Sequence, residues 1–351
     1  MKLGKFLKKK AFSLIELMVA MGILSVLMLM MTLLLDQVQE TWQYSESRIS
    51  QFREARVAFD LMSKNIGQAS LNTYWDLKDE DRDGIVDQYF RTSELHFTVF
   101  DAAKELAGKA GSQQPVGSGI FFQAPLGYSD NYRNLNNLFN AVGYFVAWGD
   151  DRNFRPSIIR SEPETRFRIF EFRPPAEANQ VFADGAEERN MEVRTDQIFD
   201  KWYSQSVSGL EDQLTFEQYL NPLAKNVVTV VVSPRESISD DLGNREDSFT
   251  RIASNYVFDS NDPSPARVRF TQQLPPLVRI TMIAIDESGG ARLESEGEEV
   301  PQLFPETLFQ NVSRYESDLQ EATTALSERN LNYKIFSTLI SIRSAKWSPG
   351  D

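Results

Sequence analysis

Acidic residues recur at alternate positions in Asp79-Glu80-Asp81-Arg82-Asp83-Gly84-Ile85-Val86-Asp87. Counted as a loop, Asp79, Asp81, Asp83 and Asp87 take places one, three, five and nine, with Gly84 at six. That is the front half of a calcium loop. Alternate carboxylates point inward, the glycine permits a sharp turn, and the carbonyl of Ile85 adds a ligand. Phe90 stands where such a loop ends in glutamate, so other acids or water must complete the shell. The rival reading is a solvated acidic turn. Four acids at this spacing repel one another without a cation, which favours Ca2+.

Other chemistry has fewer candidates. The single histidine, His96, lies in Leu95-His96-Phe97-Thr98-Val99-Phe100. Strand alternation sets it opposite Leu95, Phe97 and Val99, as a structural histidine with a nearby partner. No Gly-x-Ser-x-Gly, Walker loop or His-Glu-x-x-His occurs. The many carboxylates admit a two-acid glycosidase, and nothing positive points to one. Arginines alternate with aromatics in Phe167–Arg173, as on a nucleic-acid-binding strand, but pairing with neighbouring acids suits so acidic a chain better. Glu16 is the residue most out of place. It stands one position before the uncharged run Leu17–Leu35. A carboxylate at a membrane boundary is costly and implies a specific partner.

The elements that would position these groups begin with that run. Residues 1–11 carry five lysines and no acid. Leu17–Leu35 spans ~28 Å as a helix, close to the hydrocarbon thickness. The lysines should stay cytoplasmic and place the chain beyond Asp36 outside. No small-residue cleavage site comes after the run, so it should persist in the mature chain. An apolar stripe then continues through Val38, Trp42, Ile49, Phe52, Ala55, Phe59, Met62, Ile66 and Ala69. It predicts one helix from Phe12 to about Ala69 whose second half packs on a head. Strands are predicted at Leu95–Phe100, Gly119–Gln123, Gly143–Trp148, Phe167–Phe172, Val227–Ser233, Val268–Thr271, Leu277–Ile285 and Tyr333–Ser344, with a late helix over Tyr315–Asn330. Residues 176–194 and 234–266 read as long polar loops.

The formal net charge is −13 and cysteine is absent. The acidity argues against gripping nucleic acid or anionic lipid. The lack of cysteine excludes disulfides, thiolate nucleophiles and cysteine-ligated zinc.

The block Lys8-Lys9-Lys10-Ala11-Phe12-Ser13-Leu14-Ile15-Glu16-Leu17 resembles the cleavage and methylation motif of type IV prepilins. The resemblance implies that prepilin peptidase cuts between Ala11 and Phe12, that Phe12 becomes N-methylated, and that Glu16, fifth in the mature chain, serves subunit assembly. Ala11 departs from the usual glycine and bears on cleavage efficiency. Segments of the head resemble the Verru_Chthon cassette protein C family: Phe167–Arg173, Asn255–Ser260, Phe336–Thr338 and Arg343–Ser348. Leu274–Met282 and Leu223–Val228 resemble minor pseudopilin J of type II secretion. Together these imply an α+β fold, a long stem helix packed on an antiparallel sheet. They also imply three regions: a leader over 1–11, a transmembrane and amphipathic stem over 12–70, and a β-rich head over 71–351. The expected role is structural, as a minor pilin or pseudopilin in the inner membrane with a periplasmic head and other pilin subunits as partners. A tip-located adhesive pilin is the alternative, and a membrane-tethered enzyme the third reading.

Overall fold

A computed structural model describes residues 14–79, 83–133, 135–156, 158–179, 216–236, 252–262, 270–297, 299–305 and 307–346. The chain divides into two compact units, Met1–Gln51 and Phe52–Asp351. In the first, helix α1 runs over Leu14–Gln51. In the second, helix α2 covers Arg53–Ile66, with Phe52 as its N-cap residue. Two helices therefore stand where the periodicity predicted one. The break falls where the stripe meets a core, because Phe52 packs against the buried cluster of the head. From there the stripe is buried as expected, at Ala55, Phe59, Met62, Ile66 and Ala69.

Among the described residues the head holds three antiparallel sheets. Strands β1 (Tyr74–Lys78) and β2 (Gln88–Thr92) form a separate two-stranded hairpin. Six strands come next, in the order β7-β6-β5-β4-β3-β9: β3 (Thr98–Asp101), β4 (Gln114–Pro125), β5 (Phe139–Gly149), β6 (Arg166–Phe172), β7 (Leu220–Lys225) and β9 (Phe258–Asp259). Strands β8 (Val227–Arg235), β10 (Leu277–Ile285) and β11 (Tyr333–Ser341) make the third sheet, with β10 in the middle. Short helix α3 (Ala102–Glu105) follows β3, α4 (Glu287–Glu296) follows β10, and α5 (Tyr315–Glu328) precedes β11.

In the six-stranded sheet, strand β5 and most of β4 and β6 are buried on both faces, and β5 accordingly reads as a nearly continuous apolar run. One face, with Ile120, Phe122, Val142, Tyr144 and Val146, belongs to the core that α2 closes. The other carries a column of phenylalanine rings across four strands. Centroids lie 5.3 Å apart for Phe100–Phe121, 6.4 Å for Phe121–Phe145 and 5.7 Å for Phe145–Phe170. Phe216 caps the column, 4.7 Å from Phe172. The column needs a glycine: Gly143 sits opposite Phe121, and a Cβ there would lie 2.2 Å from its ring.

Helix α2 is tied to this sheet by buried polar groups as well. Asn65 Nδ2 donates to the Tyr144 hydroxyl at 2.7 Å, and that hydroxyl donates to Glu171 Oε1 at 2.8 Å. Burial, followed by the Glu171 charge, holds the Tyr144 pKa well above its ordinary value, so the hydroxyl stays a neutral donor. On the third sheet, Phe336 of β11 meets Phe59 of α2 at 5.7 Å, and the Thr281 and Tyr315 hydroxyls are 2.7 Å apart.

Several sequence expectations change. Strand β3 begins at Thr98, not Leu95, and β11 ends at Ser341. Of the strand predicted at Val268–Thr271, Phe270 and Thr271 lie in a turn, and the rest lies outside the described residues. The predicted loop at 234–266 contributes Pro234 and Arg235 to β8 and all of β9.

Candidate functional site

Three places in the sequence carried candidate chemistry. The first is the start of the stem. Ala11 and Phe12 lie outside the described residues. Glu16 lies on an exposed turn of α1. Beyond it, the large apolar side chains from Leu17 to Leu35 are all more than half exposed. Among the described residues, Leu14–Leu35 is the one stretch of helix long and apolar enough to cross a membrane. Its 22 residues extend ~33 Å, enough for the hydrocarbon layer. Its two hydroxyls are suited to lipid. Ser25 Oγ donates to the Met21 carbonyl at 2.8 Å and Thr32 Oγ1 to that of Met28 at 2.9 Å. Each closes on its own helix and needs no water.

The second is the acidic loop between β1 and β2. Gly84 takes the left-handed backbone its place requires, with φ +86°. Asp79 Oδ2 accepts from the Gly84 amide at 2.8 Å and Asp83 Oδ1 from the Ile85 amide at 2.7 Å. These carboxylates thus fold the turn. Asp81 lies outside the described residues. Among the described residues no group of three or more acids or histidines is gathered closely enough to hold a metal ion.

The third is His96. It precedes β3 rather than lying within it, and its side chain is 1% exposed. Alternation alone left its partner open, and Asp259 of β9 supplies it. His96 Nε2 and Asp259 Oδ1 are 2.6 Å apart, and the His96 amide donates to Gln123 Oε1 at 2.7 Å. The histidine therefore joins the lead-in of β3 to β9.

The arginines of β6 are structural too. Arg168 donates to the carbonyls of Gly149 at 2.7 Å and Glu164 at 2.8 Å, and Asp151 lies 3.9 Å away. Arg166 is bound by Glu294 of α4, with Glu287 at 3.7 Å. Both arginine side chains are buried and unavailable to a nucleic-acid backbone. Burial disfavours ionised Glu294 and Glu287. The hydrogen bonds from Arg166 and Lys225 outweigh it, so both pKa values lie below the ordinary 4.5.

The N-terminal segment decides the comparison with known proteins. Residues 7–32 match the family model described as the prokaryotic N-terminal methylation motif. The start of the chain is prepilin-like. The match takes in Ala11, Phe12, Glu16 and most of the apolar run. It supports a type IV pilin- or pseudopilin-like protein, processed by prepilin peptidase and anchored through its apolar helix. No curated protein and no solved structure matches the chain.

One surface escaped the sequence reading. On the β1–β2 hairpin, Trp75 pairs with Arg91 and Leu77 with Tyr89, which puts all four on one face. The signal was an alternation too short to register, two residues on either side of the acidic loop.

Proposed function

We propose that this chain is a minor pilin or pseudopilin, a structural subunit of a filament machine. The observation that carries this is the methylation motif running without interruption into an exposed apolar helix. In this reading the peptidase cuts the Ala11–Phe12 bond at the cytoplasmic face and Phe12 is N-methylated. The head is delivered to the periplasmic side, and stem helices of neighbouring subunits then cover the apolar surface of α1. Glu16 supplies the counter-charge for the amine of a neighbouring Phe12, because two opposite charges between packed helices attract far more than in water. The head segments Phe167–Arg173, Asn255–Ser260, Phe336–Thr338 and Arg343–Ser348 support a position near the Verru_Chthon cassette protein C family, and Leu274–Met282 with Leu223–Val228 are the segments similar to pseudopilin J. Calcium at Asp79, Asp81, Asp83, Asp87 and the Ile85 carbonyl belongs to the same proposal, supported by the left-handed Gly84.

The test is co-assembly. Full-length protein should be recovered in sheared filaments, or crosslinked to other prepilin-type subunits, in cells with active prepilin peptidase. Peptidase-deficient cells should lose that recovery. Turnover of a substrate by the head alone, with no such association, would replace this reading with an enzymatic one.

A further inference from the structure

The β1–β2 hairpin carries an exposed apolar face among the described residues. Trp75 is 57% exposed, Leu77 57% and Tyr89 63%. The Arg91 guanidinium lies 5.1 Å from the centre of the Trp75 ring, which holds the indole in place. A two-stranded hairpin is marginal in water on its own, yet this one has a fixed base. Asn72 Oδ1 accepts from Ser93 Oγ at 2.8 Å and from the Glu94 amide at 3.1 Å. Thr73 Oγ1 donates to the Gln272 carbonyl at 2.6 Å, and the Tyr74 hydroxyl donates to Glu94 Oε1 at 2.8 Å. An anchored platform bearing Trp, Tyr and Arg has the composition that dominates binding energy at protein interfaces.

Charge narrows the partner. Residues 74–92 contain six acidic and three basic residues, on a chain of net charge −13. A second copy would bring like charge against like, and an anionic lipid surface would do the same. A protein surface with an apolar slot rimmed by lysine or arginine complements both the face and its acidic surround. We propose that the Trp75–Leu77–Tyr89–Arg91 face docks the head of a different, basic prepilin-type subunit. This rests on the filament reading and adds to it the surface and the kind of neighbour.

The chain contains no cysteine, so one introduced thiol is a unique reporter. Leu77→Cys in the full-length protein, in native membranes, is labelled with a photoactivatable thiol crosslinker and the adducts are identified by mass spectrometry. Gln37→Cys on the stem is the parallel reporter. The Leu77→Cys adduct should contain a chain with its own N-terminal methylation motif and a basic head. Trp75→Ala with Tyr89→Ala should lower its yield about tenfold or more. Trp75→Phe should retain most of it, and hydrogen exchange over 74–92 should show the hairpin still folded. Adducts of Leu77→Cys with a second copy alone, with lipid, or with nothing overturn the proposal. If Gln37→Cys still captures prepilin-type subunits in that case, the filament reading stands without this interface. If neither position captures one, the filament reading falls with it.

Discussion

Glu16 shows what a single carboxylate can be asked to do. Its partner in the proposal is the Phe12 amine of a neighbour, and Glu16→Gln removes the counter-charge while keeping the shape. Cleavage and membrane insertion should be unchanged, because the peptidase reads the residues around the bond. Recovery in sheared filaments should fall, with Glu16→Asp milder. Wild-type recovery for Glu16→Gln would end the case for intersubunit pairing. Gly143 is constrained by packing instead. Gly143→Ala drives a Cβ to 2.2 Å from the Phe121 ring, so the phenylalanine column must shift. The expected loss is about 1–3 kcal/mol, read from urea unfolding of the head. The Glu287 and Glu294 carboxylates give a pH signature. Their folded pKa values lie below 4.5, so the unfolded chain binds more protons in that range. Their contribution is complete above 4.5 and disappears as the pH falls through the depressed values. Glu287→Gln with Glu294→Gln should flatten the acid limb of a melting-temperature profile. An unchanged limb would show that Arg166 and Lys225 do not hold these carboxylates in solution.

At the scale of elements, the hairpin loop separates two uses of acidic residues. If calcium completes the loop, it should raise the melting temperature of the wild-type head, and Asp81→Ala with Asp83→Ala should abolish the rise. A hundredfold excess over Kd corresponds to about 2.7 kcal/mol. A melting temperature indifferent to calcium and chelator would leave a turn folded by Asp79 and Asp83 alone. Strand β10 was legible to the residue, at Leu277–Ile285, because a buried apolar run flanked by Pro275-Pro276 has one reading. Strand β7 was not, since Pro222 argues against a strand until its place at the sheet edge is known. Helix α4 was hidden because Gly289-Gly290 disfavour a helix interior. Asp286 caps that helix by accepting from the Gly289 amide at 2.8 Å. Gly290 lets it approach Asn226, whose Oδ1 would lie 2.1 Å from an added Cβ. The edge place of β7 and the approach of Gly290 to Asn226 depend on tertiary neighbours that local sequence does not name.

The whole molecule joins a membrane-type stem to a head whose contacts are mostly distant in sequence. The apolar helix over Leu14–Leu35 was legible because its signals are local, an uncharged run within a short motif. The arrangement of the head into three sheets was not, because pairings such as His96 with Asp259 and Arg166 with Glu294 bridge more than a hundred positions. What unites the two is the claim that the chain enters a filament pathway, and that pathway begins at one bond. The direct measurement is the intact mass of full-length protein extracted from membranes of cells with and without active prepilin peptidase. The account predicts a chain beginning at N-methyl-Phe12 when the peptidase is active and at Met1 when it is not. It also predicts that Ala11→Gly is processed at least as fast and that Ala11→Leu blocks processing. A chain that still begins at Met1 in peptidase-competent cells would contradict it.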